Sequence, residues 1–467
     1  MSSSGKSGDF VARCSIQLAC PSGAAAKAHG PMQLTSLDNP TFPKLRILIS
    51  AYGCGPGRGS EPGVGWNWSV QLARFHEVWV LTPERERSAI EAYSGNDLPS
   101  SLHFVHCDLP PWMRPRSPGT TLEYALHYHL WQVWAYFVAR KLHKRHSFEV
   151  VHHLTLGAHW KPSLLSLLPV PFIWGPLGGG EILPASFWSF LSWKGRVFEV
   201  CRTLARTIGE MDPLVRITAS RSALVLTKTE DTARRARALR CRNVRVFSEA
   251  GLPRCELTKL NSFPVAESGS IRFLSLGRLL HWKGFEIGLR AFARIHREFP
   301  GATFCIVGRG PERRRLERVA WTLDIAGKVE FCGALPREGA LEKLSECAVL
   351  VHPSLHDSGG WVCLEAMAAG RPVICLDLGG PGTQVTDETG FKIPAHSPEQ
   401  CIEGIAQVMR LLANDRRLVQ RMGAAARLYV NQQYAYESRA LAITEFYHPY
   451  AVSVPSEQPD THLVERI

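Results

Sequence analysis

Asp357 and Glu365 stand eight residues apart in LHDSGGWVCLEAMAAGRPVI, the stretch from Leu355 to Ile374, and bracket the start of a strongly helical run. A carboxylate can accept two hydrogen bonds from a vicinal diol, so two carboxylates so placed could hold sugar hydroxyls at either end of one ligand. Gly370 and Pro372 stop the run before the apolar strand Val373 to Leu376. Where the run begins, the backbone N–H groups from Gly359 and Gly360 to Trp361 and Val362 would attract a phosphate, aided by the helix dipole. The plainer account is a helix-capping Asp and a solvated Glu.

Arg278 and Lys283 are the second feature, five residues apart in GRLLHWKG between an apolar strand, IRFLSL, and the helical pattern FEIGLRAFARIHREF. A guanidinium can bind phosphate oxygens bidentately and an ammonium acts as a point charge, so this pair beside a helix start could cradle a diphosphate. Any Arg or Lys can also be ordinary surface charge. Here both occupy a strand-to-helix loop of the same βα series that carries Asp357 and Glu365, where ligands bind in open α/β sheets.

The elements that must position these groups form two series. The first opens with the strand Leu45 to Ser50 and runs into AYGCGPGRGSEPGVGWNWSVQLA, whose glycines, Gly63 and Gly65 among them, would let backbone approach a ligand closely. It is neither a GxGxxG fingerprint nor a P-loop, which disfavours nicotinamide chemistry. Further strands are expected at Glu77–Thr82, Leu102–His106, Glu149–His153, Pro171–Trp174 and Ala223–Thr227, alternating with helices, which predicts a parallel, doubly wound sheet. His152 and His153 close one of these strands, at the end where ligands bind, unless they are buried, satisfied histidines. WGPLGGGE, from Trp174 to Glu181, is another glycine-rich loop that could line the same cleft. The proline-rich, polar stretch 253–269 reads as a linker between an amino-terminal lobe, 44–252, and a second βα series, 270–430. Past Gly390 the chain reads as helical, with Ala424 to Tyr447 running back across the linker and 431–450 returning to the first lobe.

Aromatic and basic residues interleave at Leu122–His146 and Ser186–Arg206, a mixture that can seat on a membrane surface; packing with a solvated basic face is the expected account. With 467 residues, 45% hydrophobic and 21% charged, the chain has the balance of a globular protein of two or three domains. A net charge of +12 favours acidic partners such as nucleotides, phosphate esters or an anionic membrane surface. Nothing in the motifs favours nucleic acid. Thirteen cysteines with no CxxC pair suggest reduced thiols, a cytosolic setting and no zinc site. No apolar run nears the roughly 20 residues a bilayer-crossing helix needs. Residues 1–43 read as a disordered leader and 451–467 as a flexible tail.

Taken together, GRLLHWKG and DSGGWVCLEAMAAGRPVI resemble the donor-phosphate loop and the E(x)7E segment of family 4 of the retaining glycosyltransferases. The likeness covers roughly Leu45 to Pro449 and is sharpest from Gly277 to Gly390; GSEPGVGWN and IWGPLGGGE are similar to amino-terminal loops in one branch of that family. It implies a GT-B fold, α/β, with two Rossmann-like doubly wound domains facing a cleft. It further implies transfer of a hexose from a nucleotide-diphosphate sugar, UDP or GDP type, to a glycan or lipid-linked acceptor, with retention of configuration and no metal or other cofactor. On that likeness Arg278 and Lys283 would hold the diphosphate, Glu365 the ribose diol, and the backbone around Gly360–Val362 the distal phosphate. Gly63 and Gly65 would approach the donor from the other lobe, and His152 or His153 would stand near the reacting centre. Asp357 occupies the position of the family's first Glu, one methylene shorter. Envelope or exopolysaccharide synthesis at the cytoplasmic face of the membrane would be the setting. An epimerase of the same shape and a non-catalytic nucleotide-sugar-binding scaffold are the alternatives.

Overall fold

A computed structural model describes residues 43–93, 98–110, 121–264 and 270–450. Apart from Pro43, the leader expected over 1–43 lies outside them, as do the tail 451–467 and residues 265–269 of the expected linker. The described residues form thirteen strands, most of them short apolar runs of the kind that fill doubly covered sheets. They are β1 Arg46–Ser50, β2 Glu77–Thr82, β3 Leu102–His106, β4 Val150–His153, β5 Phe172–Leu177, β6 Ser222–Thr227 and β7 Val244–Val246, then β8 Arg272–Leu276, β9 Thr303–Val307, β10 Val329–Gly333, β11 Val349–His352, β12 Val373–Leu376 and β13 Gly390–Ile393.

The strands form two sheets, ordered β3-β2-β1-β4-β5-β6-β7 and β10-β9-β8-β11-β12-β13. Every pairing is parallel. In each sheet the order reverses direction once, between β1 and β4 and between β8 and β11. At such a switch point neighbouring loops diverge and leave a crevice at the strands' carboxyl ends. Arg278 and Lys283 follow β8 and Asp357 follows β11, so the second sheet's crevice receives them.

Three expectations need correction. The linker stretch contains the helix Arg254–Asn261, whose Leu257 and Leu260 are buried with Leu274, Leu350 and Leu364 of the second lobe. Beyond Gly390 the chain is not all helical: β13 adds an edge strand by pairing Gly390 to Ile393 with β12. Nor is the return a single run. The helix Arg416–Gln433 stays on the second lobe, where a Cβ on Gly423 would lie 2.2 Å from the Gly370 carbonyl. The chain then breaks at Tyr434 and Ala435, and the helix Tyr436–Tyr447 packs Ala440, Ile443 and Tyr447 among Ile47, Ile49 and Val150 of the first. A segment from the first half crosses the other way: Leu183, Phe187 and Leu191 are buried with Phe285, Leu289 and Phe292.

Candidate functional site

Lys283 ends a short turn after β8, and Gly284, in the left-handed region at φ 66°, opens the helix Phe285–Ala293. A Cβ on Gly284 would stand 1.9 Å from the Pro353 carbonyl, so the turn lies directly on the loop that follows β11. That contact brings the Lys283 ammonium into an ion pair with the Asp357 carboxylate. The other partners of Asp357 are His352 Nε2, at 3.1 Å from Oδ2, and the N–H groups of Gly359 and Gly360, each 3.2 Å from Oδ1. Burial pushes this carboxyl up, but Lys283 and His352 outweigh it and hold it well below the usual carboxylate range.

Two of the amides expected to meet a phosphate are therefore already used by Asp357. Trp361 and Val362 remain as first-turn donors of the helix Trp361–Ala368. Gly360 is left-handed at φ 59°, and a Cβ there would fall 2.4 Å from Gln384 Oε1. Arg278 is exposed in the loop after β8, and its side chain makes no ion pair or hydrogen bond among the described residues. Glu365, further along the same helix, is buried and bound by Arg337, whose Nη2 donates at 2.9 Å and which also grips Glu256. Burial raises the Glu365 carboxyl more than Arg337 lowers it.

The first-lobe expectations fare differently. His152 and His153 both sit at 0% exposure at the end of β4. Both nitrogens of His152 are taken, by Tyr447 Oη and the Gly175 carbonyl, each at 2.7 Å. His153 meets Ser50 Oγ at 3.3 Å and Tyr128 Oη at 3.4 Å. Burial lowers them to about 4 and about 3 respectively, so both are neutral near pH 7. They are the satisfied core histidines of the plainer reading, and His152 ties the returning helix to β4. Gly63 and Gly65 are buried for packing: a Cβ on either would lie 2.0 Å from the Arg58 carbonyl or 2.1 Å from that of Gly53. They let the helix Ser60–Leu72 rest on its own preceding loop. The GGGE loop is likewise pinned by its glutamate, which accepts from Gly179 N at 3.0 Å and Thr229 Oγ1 at 2.6 Å.

Residues the motifs did not single out adjoin the loops of Lys283 and Asp357. Lys228, just past β6, is 2.5 Å from Glu249 Oε1 and 3.7 Å from Glu61 Oε1. A Cβ on Gly178 would be 2.9 Å from Lys228 Cδ and 3.1 Å from Ser358 Oγ, which sets this cation beside the residue that follows Asp357. The one signal was a lysine directly at a strand's carboxyl end. Glu199, from the helix Trp193–Met211, bonds His281 Nε2 at 3.0 Å and His356 Nε2 at 2.9 Å, the first two residues before Lys283 and the second one before Asp357. Burial pushes the Glu199 carboxyl up, but those two histidines bring it from 4.5 to about 2. A depressed carboxylate adds stability above its unfolded value and loses it as pH falls through its folded one. Glu199→Gln should therefore cost roughly 3 kcal/mol at neutral pH and progressively less below pH 4.5. Urea melts of both proteins across that range check this.

Among the described residues, Cys305, Glu330 and Cys332 gather three potential metal-ligand atoms within 4.8 Å. They lie at the far edge of the second sheet, where burial pushes the Cys332 thiol up to about 12.

The family description "Glycosyl transferases group 1" matches residues 259–429, which hold Arg278, Lys283, Asp357 and Glu365. Glycogen synthase of Mycobacterium tuberculosis (strain ATCC 25618 / H37Rv) is 29% identical over 205 residues, 42% of this chain and 47% of that protein. D-inositol 3-phosphate glycosyltransferase of Streptomyces avermitilis is 32% identical over 185 residues, 37% of this chain and 39% of the relative. The chain thus spans less than half the length of these curated relatives. Among solved structures, sucrose-phosphate synthase from Thermosynechococcus elongatus superposes with a TM-score of 0.58 at 18% identity, covering 87% of this chain and 99% of that one. Anabaena Alr3699/HepE in complex with UDP gives 0.55 at 14% identity, over 87% and 100%. With two parallel sheets in matching order, the fold is GT-B, and residues 259–429 are the part of the chain that matches the glycosyl transferases group 1 family.

Proposed function

We propose that the chain is a retaining, metal-independent glycosyltransferase that moves a hexose from a nucleotide-diphosphate sugar, UDP or GDP type, to a glycan or lipid-linked acceptor. Envelope or exopolysaccharide assembly on the cytoplasmic side of the membrane is the setting we infer. The observation that carries this reading is the Lys283–Asp357 pair, held at the switch point of the second sheet beside the unused helix amides of Trp361 and Val362. The UDP bound to Anabaena Alr3699/HepE, a protein of the same fold, supports the choice of donor class.

The reaction breaks the bond between the anomeric carbon and a phosphate oxygen, which leaves with the electron pair. The acceptor hydroxyl forms its bond on the face being vacated, and its proton ends on the departing diphosphate. Arg278, Lys283 and the two amides are donors aimed at the charge that grows on this leaving group. Asp357 is fully ionised at neutral pH and can accept from hexose hydroxyls while it orients Lys283. Glu365, kept in place by Arg337, accepts from the ribose diol. Glu365→Gln is expected to raise the donor KM by roughly 10- to 100-fold with kcat near wild type, the pattern for a charge-assisted bond made equally in ground and transition states.

The deciding experiment incubates the full chain with UDP- and GDP-sugars and with glycan or lipid-linked acceptors, and follows the product by mass spectrometry. Sugar transfer with retained configuration is the expected result. An epimerised donor with no acceptor product, or a donor-induced melting shift without any product, would replace the assignment.

A further inference from the structure

On the helix Trp193–Met211, the side chains of Trp193, Val197, Val200, Leu204, Ile208 and Met211 are all exposed, Trp193 at 70% and Met211 at 66%. At about 100° per residue these positions fall in one stripe about 80° wide. The buried residues of the same helix, Gly195, Glu199 and Arg206, point the opposite way. There Gly195 lies against the His281 ring, Glu199 bonds His281 and His356, and Phe198 stacks on Trp282 at 5.1 Å. One side of the helix thus holds the loops of Lys283 and Asp357, while the other shows solvent a continuous line of large apolar groups.

Neighbouring helices extend that line. Pro213–Arg221 exposes Leu214 and Ile217, and Thr121–His146 exposes Val133, Trp134 and Phe137. Both helices pack on the turn Leu164–Leu167, and Asp212, where the first two helices meet, is near enough to His129 on the third to act on its charge. Lys194, Arg196, Arg216 and Arg221 are exposed around the stripe, as are Lys141 and Lys144 on the third helix. Among the described residues, none of the exposed positions on these three helices is acidic.

We propose that this face docks on an anionic lipid bilayer, with the stripe in the acyl boundary and the lysines and arginines at the phosphates. Charge chooses the occupant. A second copy of the chain would bring like charge to like charge, and a nucleic acid would leave the apolar stripe unused. No helix among the described residues is long and apolar enough to cross a membrane, so the contact is peripheral. Docking would hold the Lys283–Asp357 loops about one helix diameter, ~10 Å, above the headgroups, within reach of a lipid-linked acceptor.

The test sediments the purified full chain with phosphatidylcholine vesicles, with and without phosphatidylglycerol. Salt-sensitive binding to the anionic vesicles is expected, about tenfold or more above that to phosphatidylcholine alone. Val200→Glu/Leu204→Glu, which changes only exposed positions, should lose that binding by a similar factor with an unchanged thermal melt. Absence of vesicle binding, equal binding by the double variant, or a wild-type dimer in light scattering that the double variant disperses would each overturn the proposal. Sedimentation needs no turnover, so a failed vesicle assay and a failed transferase assay remain separate results.

Discussion

Lys283→Ala is expected to lower kcat by about 10²- to 10³-fold, about 3 to 4 kcal/mol of barrier, the usual cost of removing one preorganised donor to a developing anion. The fold should survive because Asp357 is not orphaned. Its Oδ1 keeps the Gly359 and Gly360 amides at 3.2 Å, and Oδ2 keeps His352 at 3.1 Å. The same geometry predicts how the loss depends on pH. His352 is lowered first by burial and then by the charge of Lys283, against which Asp357 raises it. Without Lys283 its affinity for a proton rises, so part of the missing positive charge returns as the pH falls. The residual rate of the variant, relative to wild type, should therefore be greater at pH 6 than at pH 8. Turnover with saturating donor at both values measures this, and wild-type turnover in the variant would remove Lys283 from the leaving-group site.

The interior strands β2 and β12 were legible because a strand covered on both faces is largely apolar, and both start and stop where that pattern does; the edge strand β3 was also expected with the bounds it has. The edge strands β7 and β13 were not, since VRV and GFKI have one neighbour each and carry no such run. The contact of Lys283 with Asp357 followed from two strand-to-loop transitions in one βα series. Lys228 could not be found that way, because its partners come from elsewhere, Glu61 from the first turn of the helix Ser60–Leu72 and Glu249 from the loop after β7, and the three meet only when the first sheet forms. His152 and His153 misled for a related reason: a residue at a strand's end faces the crevice only if no helix covers it, and Tyr447 of the helix Tyr436–Tyr447, from the other end of the chain, covers His152 while Tyr128 of the helix Thr121–His146 covers His153. The helix Trp193–Met211 shows the reverse. Its aromatic and basic mixture was read as packing, yet most of its large apolar side chains are the ones left in water.

Lys228→Met should be the most destabilising single change in the cleft, about 3 to 5 kcal/mol at neutral pH, because it leaves a buried carboxylate without its counter-charge. Glu249 is 3% exposed and its Oε2 has no hydrogen-bond partner, so Lys228 is what makes its charge tolerable; Glu61, partly open to solvent, can rehydrate. Even with the lysine present, burial keeps the Glu249 carboxyl above its ordinary 4.5. Removing the cation moves it further up. A carboxyl raised in the folded state favours folding below its unfolded value and loses that contribution as pH rises through the folded one. The deficit of the variant against wild type should therefore be small near pH 5 and grow toward pH 8, which urea melts at the two values measure. Glu249→Gln in the same chain should restore most of the lost stability, since replacing both partners of a buried pair leaves no uncompensated charge. A deficit independent of pH and not relieved by Glu249→Gln would mean that Lys228 acts through packing alone. The restored double variant then separates fold from chemistry. Because Lys228 lies beside Ser358, a well-folded double variant that binds donor but turns over slowly would place its ammonium among the groups that face the reacting sugar.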